Sequence, residues 1–141
     1  MSPNLASAHG WLGDTLIWSG RPKEALAGIQ RYLRLDPRDP SIAVLSMQMA
    51  TGHYFCREYA AAIETAKGVI RSYPAFPLSY RWLSAALGQA GRTKEATEAL
   101  KNAIAVLPAS FDMYVRGRPP WFRPEDHAHM LEGLRKAGWQ G

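Results

Sequence analysis

The histidines, the one cysteine and the recurring glutamates are where chemistry would begin in this sequence. His127 and His129 stand two apart in PEDHAHMLEGLRK, and on a helix a step of two residues turns about 200° around the axis. The two imidazoles therefore do not share a face and do not make a metal pair. His53 and Cys56 are three apart and face alike, but a zinc site needs three or four protein ligands and these are two. Glu24, Glu58 and Glu95 recur at corresponding places near expected helix starts, where a carboxylate meets the positive end of the helix dipole. None has a partner base or acid nearby in sequence, so their role reads as structural rather than acid-base. There is no phosphate-cradling glycine loop and no nucleophile elbow. We expect no catalytic residue, no cofactor site and no metal site, hence a protein that is not an enzyme.

The regular recurrence of those glutamates leads to the elements that carry them. GRPKEALAGIQRYLRLDP, from Gly20 to Pro37, and GRTKEATEALKNAIAVLP, from Gly91 to Pro108, agree at Gly, Arg, Lys, Glu, Ala and the closing Pro. REYAAAIETAKGVIRSYP, ending at Pro74, is a third copy. Pro74 and Pro108 are 34 residues apart, whereas Pro37 and Pro74 are 37 apart, a difference that the loop DPRDPSIA absorbs. Each copy holds two series at three- and four-residue steps, the mark of amphipathic helices. Leu5, Ala8, Leu12 and Leu16 precede Gly20, and Ala25, Ile29 and Leu33 follow it. Leu45, Met49 and His53 precede Ala62, Ala66 and Ile70; Tyr80, Leu83, Leu87 and Ala90 precede Gly91, and Ala96, Leu100, Ala103 and Leu107 follow. Small residues recur where paired helices must approach: Gly13, Ala50 and Ser84 in the first helices, Ala25, Ala62 and Ala96 in the second. A large side chain at those places would overfill the contact.

With its period of 34, and with LG and GRPKEA in copy one, EYAAAI in copy two and GRTKEA in copy three, the chain resembles the tetratricopeptide repeat family. The resemblance covers roughly residues 4 to 108. It implies an all-α fold, a TPR-like αα-superhelix of three helix-turn-helix repeats at about 4–37, 41–74 and 77–108, within a unit of residues 1–110. Residues 111–141 are then a Pro-rich linker and a C-terminal capping helix. Ser110 is expected to start a short helix through Tyr114, and Pro119, Pro120 and Pro124 to hold the next stretch extended. Pro124 suits a first helical turn, Glu125 and Asp126 the positive end of the last helix, and Arg135 and Lys136 its negative end before Gly138. Met130, Leu131, Leu134 and Ala137 form the face that caps the final repeat.

The tail RPPWFRPEDHAHMLEGLRKAGW, with NLASAHGWLG and LRLDPRDP, is similar to the C-terminal repeat region of rhizobial-type class III adenylate or guanylate cyclases. Similar tails also follow winged-helix regulators. The likeness concerns the non-catalytic part only, and no cyclase catalytic residue has a counterpart here. It implies a scaffold or regulatory part of a signalling protein, with the alternative that the chain belongs to a cyclase, or to a winged-helix transcriptional regulator, whose catalytic or DNA-binding domain is elsewhere.

Composition agrees with a folded chain of 141 residues: 47% of them are hydrophobic and 21% charged. No apolar run is long enough to cross a bilayer. The start lacks the order of a secretion signal and the single Cys56 has no disulfide partner, so a cytoplasmic location is expected. The formal charge of +5 is spread along the chain, and the densest group, Arg116, Arg118 and Arg123, is followed by Glu125 and Asp126. That pattern argues against nucleic acid as a partner. In a helical array the first helices line a concave groove, and projecting the helical period puts Asp14, Trp18, Met47, Thr51, Tyr54, Phe55, Arg81 and Gln89 towards it. The expected partner is a protein or peptide in that groove. Because the first helix, with Leu5, Ala8, Trp11, Leu12, Ile17 and Trp18, is apolar over more than one face, a homodimer through the N-terminal repeat is also expected, with Trp11 or Trp18 in the contact.

Overall fold

The computed structural model describes residues 13, 15–35 and 42–141, and all regular structure among them is helical. Residues 15–18 close a first helix, α1. It is followed by α2 (Pro22–Leu35), α3 (Ile42–Phe55), α4 (Tyr59–Ser72), α5 (Pro77–Gln89) and α6 (Thr93–Val106). A short α7 (Pro108–Phe111) runs into a π-helical turn at Asp112–Arg116, and α8 (Pro124–Lys136) closes the chain. Helices α1 to α6 form three consecutive pairs, α2 packing on α3 and α4 on α5 to stack one pair on the next. This is the expected all-α repeat superhelix.

The three turns within the pairs are built alike. Gly20, Arg57 and Gly91 take positive φ angles of 80°, 62° and 77°. At each, the amide of the following residue donates across the helix end, Arg21 to Leu16 O, Glu58 to His53 O and Arg92 to Leu87 O, at 2.8, 2.9 and 3.0 Å. These are Schellman closures, in which a left-handed residue lets the chain reverse while capping stray carbonyls. Glycine adopts that conformation freely, whereas Arg57 carries the cost of a Cβ there, about 1–2 kcal/mol. The repeated wording GR..E also has a physical meaning. Arg21 grips Glu24 through Nε and Nη2 at 2.9 and 2.6 Å, and Arg92 grips Glu95 in the same way at 3.0 and 2.9 Å. In the middle copy His53 Nδ1 meets Glu58 at 2.8 Å instead. The two arginine pairs are largely exposed, so they trim the turns rather than hold the fold.

The small residues fall where the sequence requires. Ala25, Ala62 and Ala96, and opposite them Ala50 and Ser84, are at most 1% exposed. Ser84 Oγ also donates to Ala96 O at 3.0 Å, which fixes the α5–α6 spacing. Ile29, Tyr32 and Leu45 form the core between the first two repeats. A larger cluster runs through Met47, Tyr54, Ile63, Trp82 and Leu87 into Phe111, Phe122, Met130, Leu134 and Trp139, so the tail shares one core with the array.

Two features of the tail differ from expectation. The short helix starts at Pro108 rather than Ser110, because a proline fits the first helical position, where its missing N–H is no loss. The last helix does dock on the final repeat, yet its principal neighbour is α5, and α6 is touched only at its edge. Stacking as a next repeat would need α6; α8 lies on the concave side instead.

Candidate functional site

The path of α8 determines which part of the concave face remains open. Its 13 residues rise about 20 Å, roughly twice the 8–10 Å between stacked helices, which is enough to pass all three pairs. At its start the Arg123 guanidinium lies directly against Gly20. Midway, Tyr54 donates to His129 O at 2.5 Å, and the Tyr59 hydroxyl meets His129 Nε2 at 2.7 Å. Further on, Gly133 sits on α5. A Cβ at Gly133 would fall 2.5 Å from both Ala85 O and the Tyr54 hydroxyl, and one at Gly88 would strike Gly133 O. At the end Thr97 Oγ1 donates to Ala137 O at 2.8 Å, and Lys136 Nζ to Gln89 Oε1 at 2.9 Å. The two glycines let the helix backbones touch, and hydrogen bonds at both flanks set the crossing.

The site residues expected from sequence therefore divide. Tyr54, Phe55 and Gln89 lie under α8: Tyr54 is fully buried, Phe55 stacks edge-on with Trp18 and Trp82, and Gln89 Nε2 donates to the Tyr54 hydroxyl at 3.2 Å. Burial pushes the Tyr54 hydroxyl far above the ordinary phenol range, so it stays a neutral donor. Trp18, Met47, Thr51 and Arg81 stand together around a cavity of about 250 Å³. Asp14 lies outside the described residues, as does Trp11. Trp18, expected in the groove and as one of two candidates for a contact with a second chain, packs within its own chain against Trp121 and Phe122, at ring separations of 4.9 and 4.7 Å.

Sequence reasoning did not bring Trp82, Tyr114, Trp121 and Phe122 into this cavity, although they line it with the others. The last three come from the Pro-rich linker, whose apolar rings could have signalled that the linker packs rather than crosses solvent. Phe122 is fully buried while Trp121 is half exposed at the lip. Arg81, only 5% exposed, is the charged group of the cavity. Its guanidinium lies 4.8 Å from the Tyr114 ring and 5.8 Å from that of Trp82, and its Nε has no hydrogen-bond partner. Among the described residues no carboxylate is paired with it. Burial draws its pKa down to about 10, a smaller opposing contribution coming from Tyr114.

The histidines and cysteine hold other roles. His127 Nε2 is 3.1 Å from Val115 O, and burial, with the Arg57 cation second, lowers the pKa of His129. Burial and the neighbouring Glu58 push the Cys56 thiol up, away from the thiolate that a nucleophile or metal ligand needs. Among the described residues no three His, Cys, Asp or Glu side chains come together as a metal site, and none of their helices is long and apolar enough to cross a membrane.

Comparison with known proteins places the architecture. A crystal structure of MamA superposes with a TM-score of 0.67 at 20% identity, over 96% of this chain and 78% of the other. At that identity the likeness shows the fold alone, a TPR-like helical repeat. No family model matches the sequence, and no curated protein matches it.

Proposed function

We propose that this chain is a non-catalytic protein-interaction module whose concave face is shared between its own C-terminal helix and an incoming protein partner. The observation that carries this reading is the half-exposed Trp121 at the lip of the open cavity. It lies beside exposed Val44 and partly buried Phe76 and Leu78. Helical arrays bind through extended concave surfaces, and anchors of this kind dominate interface energies. Affinity capture from the native cell, with the intact chain and with Trp121→Asp, tests it. A protein retained by the first and lost by the second, at unchanged helical circular dichroism, supports the reading; equal capture by both removes this lip as the partner surface.

The tie to a parent signalling protein rests on the tail sequence RPPWFRPEDHAHMLEGLRKAGW. On that reading the module is the regulatory appendage of an adenylate or guanylate cyclase, or of a winged-helix regulator, working in the cytoplasm. A homodimer through the N-terminal repeat remains a second mode of association. It would now use Trp11 rather than Trp18, whose ring is engaged within the chain. Sedimentation at micromolar concentration distinguishes a dimer from a monomer, and loss of the dimer in Trp11→Ser would place Trp11 in the contact.

A further inference from the structure

We infer that the Arg81 cavity is a binding site for a small free monocarboxylic acid with an aromatic or branched apolar body. Three observations converge on that chemistry. The first is the guanidinium. A buried cation without a counter-charge is costly, and the faces of Tyr114 and Trp82 at 4.8 and 5.8 Å return only part of the lost hydration. A carboxylate matches the fork of an arginine with two parallel hydrogen bonds, whereas the Arg81 Nε, closed off from the cavity, is left without any bond.

The second is the lining. Ile17, Trp18, Met47, Trp82 and Phe122 present hydrocarbon and ring surface, which suits a ligand body without further charge. The Thr51 hydroxyl is turned to Met47 O at 3.2 Å, and although the Gln48 amide also lines the cavity, Arg81 is the one charged group among the lining residues. A phosphate or dicarboxylate would bring a second charge to a wall that cannot solvate it. The third is size. A volume of about 250 Å³ has room for a small acid. The half-exposed Trp121 at the lip gives the entry.

The inference is independent of the protein-partner reading, because Arg81 is buried while the partner would dock outside at the lip. Phenylacetate is the probe, followed by calorimetry and by the fluorescence of the lining tryptophans. The intact chain is expected to bind phenylacetate at least about tenfold more tightly than neutral phenylacetamide, the worth of one hydrogen-bonded charge, and Arg81→Gln is expected to abolish that preference. Trp121→Ala, which opens the lip and removes a ring packed on Trp18 but leaves Arg81 in place, should weaken phenylacetate binding while keeping the preference for acid over amide, so the test stands even if Arg81→Gln fails to fold. A pentapeptide ending in a free phenylalanine carboxylate separates the two sources of such a group. Absence of phenylacetate binding at millimolar concentration, equal affinity for acid and amide in the intact chain, or tighter binding of the peptide would each overturn the assignment.

Discussion

The two halves of the concave face solve the same problem in opposite ways. Where α8 crosses α5, polar groups are paired, Tyr54 with His129 O and with Gln89 and Thr97 with Ala137 O, and Gly133 lies close against Ala85 and Gly88. Where the linker crosses α1 and α3, rings enclose a cavity and Arg81 Nε is left without a hydrogen bond. The first half is packed as an interior is packed. The second keeps an unsatisfied charge and empty volume, both costly, and cost of that kind retained in a fold is grounds to look for a ligand.

Removing α8 should have the largest effect on this contrast. Deleting residues 124–141 strips the cover from α5 and abolishes the burial of Met130, Leu134, Ala137 and Trp139. Full burial of a large apolar side chain contributes about 1.5–3 kcal/mol, so the combined loss rivals the stability of an ordinary domain. The shortened chain should aggregate or melt far lower in circular dichroism; a melt matching that of the intact chain would mean that the helix is an ornament. Next in size is Gly133→Val. Its side chain has no room against Ala85 O and the Tyr54 hydroxyl, so α8 must lift, at a cost of roughly 3 kcal/mol in chemical denaturation. The same substitution at exposed Gly91 would strain the turn but leave α8 in place.

A matched pair of smaller changes sharpens the comparison. Tyr54→Phe leaves His129 O and Gln89 without the hydroxyl and should destabilise by about 1–2 kcal/mol. Arg81→Met removes an unpaired buried charge in favour of apolar volume, and should be neutral or stabilising. If Arg81→Met instead proves the costlier of the two in denaturant titrations, the cavity half is structural and the contrast fails. The smallest expected effect is of pH. Because burial and the Arg57 cation hold the His129 pKa below its ordinary value, the unfolded chain takes up a proton before the folded one. Stability is therefore undiminished above the unfolded imidazole pKa of about 6.5 and falls as pH drops from there towards the depressed folded value. His129→Asn should flatten the slope of melting temperature against pH in that window.

Much of the array was legible in the sequence because its determinants are local. Glycine turns, alanines at close approaches and a 34-residue period act within one repeat or between neighbours, and the structure places Gly20, Gly91, Ala25, Ala62 and Ala96 accordingly. The third turn was legible only by analogy, since Arg57 occupies a conformation that its side chain disfavours. The seat of α8 was not legible. Its apolar face announces that it docks, but the choice between α6 and α5 depends on Gly88 and Gly133, two glycines that nothing local pairs. The candidate site shows the same limit. Helical projection assigned Trp18, Met47, Thr51 and Arg81 to the groove, while the rings that close it arrive from a linker read as extended.

The chain's own last helix lies on the concave side of its repeats, covering part of the face that a partner would otherwise meet. Tyr54 and His129 test this most directly, since their rings are 4.4 Å apart across that contact while lying on helices far apart in sequence. Nuclear Overhauser spectroscopy of the intact chain should show cross-peaks between the Tyr54 and His129 ring protons whose intensity relative to intraresidue peaks is unchanged on dilution. Their absence, with α8 still helical, would contradict the account and return the whole concave face to an outside partner.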